Sequence, residues 1–155
     1  MTTQNYLLPI LLPRKEMLIT KGEAGICAEI ASYLKVESLY GRLPYVWYHV
    51  ANEWAGQNRP VYGSKQTTMG KIAGIPDYAF HGKYTSFLIE VKTPKGKLSE
   101  TQEIVKQWCD DKGVPHYVCR SLKDVKTTLA IEIQRESAVL TKMFNVSPKS
   151  DLQSQ

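Results

Sequence analysis

Thr85–Gln102 reads TSFLIEVKTPKGKLSETQ, and the stretch up to Lys92 decides the fold. Side chains alternate along a strand, so Phe87, Ile89 and Val91 share one face while Leu88, Glu90 and Lys92 share the other. The Phe87 set is wholly apolar and belongs in a core. The other set puts an acid and a lysine side by side on an otherwise apolar strand. Ionised groups flanked by core residues cost desolvation free energy unless they are paired or bind a metal.

Just upstream, Gly74-Ile75-Pro76-Asp77 leads into a second predicted strand, Asp77–His81, joined to Thr85–Lys92 by a tight turn at Gly82-Lys83. If the two strands are antiparallel neighbours, Asp77 falls opposite the region of Glu90. Converging carboxylates repel each other, and a divalent cation relieves that repulsion. Hard oxygen ligands of this kind select Mg²⁺ or Mn²⁺ over zinc, and the Val91 carbonyl between Glu90 and Lys92 could add another oxygen. Lys92 could orient an attacking water or neutralise a phosphate oxygen, as phosphodiester hydrolysis requires. Taken by itself, Glu90-x-Lys92 reads more readily as a salt bridge on an exposed sheet face, and the preceding Pro-Asp and following Gly-x-Leu-Ser-x-x-Gln shift that balance.

Further outward, the elements alternate. Glu23–Glu37 has helical spacing, with Ile26, Cys27, Ile30, Tyr33 and Leu34 on one face. At 100° per residue Glu23 projects with that face and Glu29 lies about 100° off it. Gly41–Pro44 is a turn, Tyr45–Val50 a strand, and the glycine-dotted stretch Asn52–Ile75 a long basic loop. Ser99 opens a helix that Gly113 closes, with Ile104, Val105 and Trp108 expected in the core. Val114–Cys119 is a strand, and Ser121 starts a helix carrying Leu122, Val125, Leu129 and Ile133. This order describes an α/β fold, a mixed central β-sheet flanked by helices. The expected organisation is an N-terminal arm over residues 1–19, a domain over 20–144 and a disordered polar tail over 145–155.

The bulk properties agree. The 155 residues suit one domain, and 43% hydrophobic with 23% charged residues suits a globular chain. No apolar run reaches the ~20 residues of a membrane helix. Leu7–Leu12 lacks a basic leader and a cleavage site, so a cytosolic setting is expected, with no membrane partner. Cys27, Cys109 and Cys119 form no close pair and read as reduced core thiols. The net charge of +5 favours a polyanionic partner. Arg59, Lys65, Lys71, Lys83, Lys92, Lys95 and Lys97 crowd the middle of the chain, which makes nucleic acid the leading class.

Gly74-Ile75-Pro76-Asp77, Glu90-Val91-Lys92 and Gly96-Lys97-Leu98-Ser99 with Gln102 together resemble the VRR-NUC family of PD-(D/E)xK nucleases. His49-Val50-Ala51-Asn52-Glu53 also resembles a segment of stand-alone phage and bacterial members. The resemblance runs from about Glu23 to Val125. It implies a restriction-endonuclease-like core, Mg²⁺ or Mn²⁺ dependence, and cleavage of branched DNA such as Holliday junctions by a homodimer in a bacterial or phage-infected cytosol. It also implies an active-site role for Gln102, although Ser99-x-x-Gln102 is equally a capping box. Glu23 is the expected helix acid, against a Thr20-x-x-Glu23 capping box as its plain explanation and Glu29 as the fallback.

The expected catalytic set is therefore Asp77, Glu90, Lys92, Glu23 and Gln102, with Asp77, Glu90 and Val91 as metal ligands. His49, Asn52, Arg59, Lys65, Lys71 and Lys95 are the expected DNA-binding residues. Trp54 is a candidate for stacking on unpaired bases, whereas Trp47 and Trp108 are better explained by packing. His81 and His116 read as strand residues. Two alternatives stay open: a non-catalytic nucleic-acid-binding module, which would tolerate loss of the acids or the lysine, and a phosphodiesterase for RNA or other DNA structures.

Overall fold

The computed structural model describes residues 4–12, 18–50 and 68–145. Asn52, Glu53, Trp54, Arg59 and Lys65, and the tail beyond Asn145, lie outside the described residues. Near the N-terminus, Asn5–Leu7 forms a 3-10 turn that runs into the short helix α1 (Leu8–Leu11). No regular structure is expected there from the sequence. Pro9 falls within the first helical positions, where its missing N–H costs no intrahelical bond.

Helix α2 (Gly22–Leu39) buries Ile30 and Leu34 completely. It is followed by β1 (Val46–His49), β2 (Tyr78–His81), β3 (Ser86–Val91), helix α3 (Glu100–Lys112), β4 (His116–Cys119) and helix α4 (Leu122–Asn145). The strands form a mixed sheet in the order β1-β2-β3-β4. The β1–β2 and β2–β3 pairs are antiparallel, and α3 carries the chain over to the parallel β3–β4 pair. Parallel neighbours need such a crossover.

One face of the sheet is the core. Phe87, Ile89 and Val91 are fully buried and cluster with Tyr78, Phe80, Ile30, Leu34, Val125 and Leu129. The Phe80 and Phe87 rings stack with centroids 4.5 Å apart. Helices α2 and α4 therefore cover this face. Helix α3 packs beside β4 on the opposite face, burying Val105 and Cys109. Ile104 and Trp108 do not belong to the core: they are 62% and 46% exposed. Each sits one residue, hence about 100°, around the helix from a sheet-facing position.

Two side-chain devices fix the frame. Glu136 on α4 accepts hydrogen bonds from Tyr84 N at 2.9 Å and Thr85 N at 2.7 Å, pinning the β2–β3 turn. Burial pushes its carboxyl up, but a hydrogen bond from the Thr85 hydroxyl, together with these backbone bonds, outweighs that and holds it below the usual glutamate range. Gly113, at φ +67°, ends α3 in the left-handed conformation that glycine adopts without strain. Among the described residues, no helix is long and apolar enough to cross a membrane.

Candidate active site

The register of β2 and β3 sets the site. Tyr78 pairs with Ile89, so one step further along the antiparallel ladder brings Asp77 opposite Glu90 on the face away from the Phe87 set. Asp77 turns its carboxylate onto β3, where Oδ2 accepts from Val91 N at 2.7 Å. Its own carbonyl accepts from Val50 N at 2.7 Å, tying the segment to β1. Gly74 makes this approach possible. At φ +81° its α-carbon lies so close to the start of α3 that an added Cβ would sit 2.5 Å from the Thr101 carbonyl group.

Glu90 is 1% exposed. Its Oε1 lies 2.7 Å from Lys92 Nζ and accepts from Gln102 Nε2 at 2.5 Å. Its Oε2 is buried and has no hydrogen-bond partner among the described residues. Burial pushes the Glu90 carboxyl up; the Lys92 hydrogen bond opposes this, the Asp77 charge adds to it, and the group ends at about 7. Burial also raises Asp77, against the pull of the Val91 amide and of the charges on His49 and Lys92.

Lys92 reaches a second acid, with Nζ 3.1 Å from Glu23 Oε1. Burial alone would depress the Lys92 ammonium, but its bonds to Glu90 and Glu23 raise it. Glu23 stands in the first turn of α2, whose N-cap is Lys21 with no side-chain capping bond. The capping-box explanation for Glu23 is thus not what the structure contains; its carboxylate goes to the lysine. Glu29 is exposed and lines an adjoining groove with Leu18, Ile19 and Lys35 rather than the cleft that Glu23 lines.

Gln102 caps its helix and also touches the buried acid. Ser99 and Gln102 form a reciprocal capping box at the start of α3, and the remaining Gln102 N–H reaches Glu90. A cleft of about 460 Å³ opens beside these residues, lined by Glu23, His49 and Asp77 together with Cys27 and Tyr78. His49 packs edge-on against Tyr78 at 5.0 Å between centroids. Cys27, expected in the core from the sequence, packs half-buried against the edge of the core and also forms part of this wall. Burial together with the Asp77, Glu23 and Glu90 charges pushes its thiol up to about 11. Its place one turn beyond Glu23 on the same helix face is the signal that could have found it.

Asp77, Glu90, Lys92, Glu23 and Gln102 therefore come together, and Val91 lies between them. Lys95 is exposed on the turn after β3, and Lys71 is half-buried upstream of Gly74. Trp47 is half-buried and donates to Ser38 Oγ at 2.8 Å, a packing role. Among the described residues, no group of three or more His, Cys, Asp or Glu side chains is arranged to hold a metal.

Acids beside a strand-borne lysine, after a Pro-Asp and before a capped helix, are the residues on which the resemblance rests. Residues 65–123 match the VRR-NUC domain. The matched segment contains Asp77, Glu90, Val91, Lys92 and Gln102, while Glu23 and His49 precede it. The VRR-NUC domain is a nuclease domain of the PD-(D/E)xK type with a restriction-endonuclease-like fold, and a mixed sheet flanked by helices agrees with that fold. VRR-NUC nucleases generally depend on a divalent metal. No curated protein and no solved structure gives a significant match to the chain.

Proposed function

We propose that this chain is a metal-dependent DNA endonuclease that hydrolyses phosphodiester bonds, with Mg²⁺ or Mn²⁺ as its ion and branched DNA such as a Holliday junction as its substrate. The observation that carries the reading is Glu90, a buried carboxylate with one oxygen held by Lys92 and Gln102 and the other without a partner among the described residues. A desolvated, half-satisfied carboxylate next to a second acid costs stability unless a cation completes it.

The donor set fits a hard divalent ion. Asp77 and Glu90 Oε2 supply carboxylate oxygens. The Val91 carbonyl adds a third donor, since a strand residue aims N–H and C=O toward the same neighbour and the Val91 N–H already points to Asp77. An ion held there would polarise a phosphate oxygen and acidify a bound water. Lys92, held between Glu90 and Glu23, would orient that water or offset the charge growing on the phosphate. Gln102 fixes which Glu90 oxygen faces the ion. His49, Lys71 and Lys95 would hold the DNA backbone beside the cleft, and Asn52, Arg59 and Lys65 are proposed as further DNA-binding residues.

The branched substrate, the homodimer and the cytosolic setting rest on the VRR-NUC match and on the need to cut two strands. The catalytic unit is proposed to span residues 20–144, with 1–19 and 145–155 outside it. The test compares cleavage of four-way junction, flap, duplex and RNA substrates with Mg²⁺ or Mn²⁺, with EDTA, and for Glu90→Ala. The expected result is metal-dependent cutting of the junction that Glu90→Ala abolishes. Cutting that survives both EDTA and Glu90→Ala would contradict the reading, and cutting of RNA alone would replace DNA as the substrate.

A further inference from the structure

Arg120 lies just past β4, outside the residues assigned to the chemistry, yet its side chain is aimed back at the active-site loop. One nitrogen, Nη1, donates to Thr93 O at 2.6 Å and to Gly96 O at 2.7 Å. These carbonyls are the two ends of a tight turn that Gly96 N closes by donating to Thr93 O at 3.0 Å. The turn itself is compact, since a Cβ on Gly96 would sit 2.9 Å from Thr93 Oγ1. Arg120 is in turn fixed by its own backbone, whose N–H donates to Asp124 Oδ2 at 2.8 Å in the first turn of α4. Asp124 N donates to Ser121 Oγ at 3.2 Å, so the anchor is a capped helix start.

We infer that Arg120 is a positioning residue for the nuclease reaction: by clamping Thr93–Gly96 to the start of α4 it sets where α3 begins, and so holds Gln102 against Glu90. The inference rests on the nuclease reading above. The chain between Lys92 and Ser99 has no regular structure of its own and includes Pro94 and Gly96. Such a connection has many conformations open to it, yet it must deliver Gln102 Nε2 to within 2.5 Å of Glu90 Oε1. Lys92 N is tied to Cys119 O at 3.0 Å, which fixes where the loop leaves β3. Arg120 adds the next two ties, both to main-chain oxygens, so the clamp works whatever side chains the turn carries. Exposed Lys95 and Lys97 ride on the same turn and are aimed by it.

The experiment is a double-mutant cycle on the full chain, reading kcat on saturating junction DNA for wild type, Arg120→Ala, Gln102→Ala and the pair, with Arg120→Lys as the conservative variant. Amide hydrogen exchange at Gly96 and Ser99 is measured in parallel. Arg120→Ala should lower kcat about tenfold in the wild-type background but less than about twofold beside Gln102→Ala, because the two act through one contact. Exchange at Gly96 should quicken, and Arg120→Lys should recover part of both losses. Equal losses in the two backgrounds, or unchanged exchange, would overturn the inference. Absence of cleavage by the wild type would instead sink the nuclease reading, and the exchange result would still show whether Arg120 holds the turn.

Discussion

Gln102 divides one side-chain amide between Ser99 and Glu90: Oε1 accepts from Ser99 N at 2.9 Å, and Nε2 donates to Glu90 Oε1 at 2.5 Å. The cap of helix α3 and the orientation of the buried acid are therefore one unit. Ser99→Ala removes the hydroxyl that accepts from Gln102 N but leaves the Glu90 hydrogen bond. It should cost about 1 kcal/mol of stability, a drop of roughly 2–4 °C in Tm, with cleavage kept within about threefold. Gln102→Ala should cost similar stability and at least about tenfold in kcat. Thermal melts alongside saturating-substrate kinetics separate the two; equal kinetic losses would mean that the amide serves only as a cap.

Glu90 sets a pH signature. Its carboxyl is raised from 4.5 to about 7, by burial first and then by the Asp77 charge against the Lys92 hydrogen bond. A group whose folded pKa is raised stabilises the fold most below its unfolded pKa and loses that contribution as pH rises through the folded value. In metal-free buffer, wild type should therefore lose Tm relative to Glu90→Gln between about pH 5 and about pH 8, since the amide never ionises. Adding Mn²⁺ at the higher pH should close the gap. A constant difference across the range would mean that Glu90 ionises freely in the fold.

Gly74 bears on both Asp77 and α3. A Cβ there would stand 2.5 Å from the Thr101 carbonyl group, at a φ of +81°. Gly74→Ala should destabilise the fold by about 2 kcal/mol or more, from left-handed strain and the clash together. Cleavage should fall too, because relief of the clash must move either the Asp77 segment or the helix carrying Gln102. Urea unfolding midpoints give the first quantity; a loss under about 0.5 kcal/mol would show that the clash relaxes freely.

Much of this is legible in the chain. Alternation along Phe87–Val91 separates the core set from Glu90 and Lys92. The register that brings Asp77 opposite Glu90, however, comes from a turn at Lys83-Tyr84, closed by Gly82 N donating to Thr85 O, one residue later than the expected Gly82-Lys83. A two-residue turn at Gly82-Lys83 would have set Asp77 opposite Leu88. The Ser99 and Gly113 signals bound α3 to within one residue. Helical projection alone favours Glu23 over Glu29, and the ion pair with Lys92 agrees with that geometry. What is not legible depends on partners distant in sequence. Nothing local to Arg120 says that its guanidinium returns to Thr93 and Gly96, and nothing local to Glu136 says that it caps the turn at Tyr84. Ile104 and Trp108 mislead because apolar side chains flanking a helix's buried stripe carry the same hydropathy as those in it. Cys27 reads as core because its neighbours are apolar, whereas the site reaches it through Asp77 and Glu23.

The basic rim has its own test. Lys95 and Lys97 are exposed on the turn clamped by Arg120. Replacing both by alanine should reduce the slope of log Kd against log salt by roughly 0.9 for each duplex-arm phosphate that is no longer neutralised, with kcat at saturation nearly unchanged. Lys65→Ala with Lys71→Ala should act the same way. An unchanged slope over the salt series would place these lysines away from the DNA.

The proposed chemistry turns on Asp77 and Glu90 jointly holding a hard divalent cation. Mn²⁺ titration of the metal-free protein, followed by electron paramagnetic resonance of the free ion, addresses this without any DNA. Wild type should bind Mn²⁺, with Mg²⁺ competing, and both Asp77→Asn and Glu90→Gln should weaken binding by at least about tenfold, or roughly 1.4 kcal/mol. Equal Mn²⁺ affinity in wild type and both variants would contradict a shared cation at these two carboxylates.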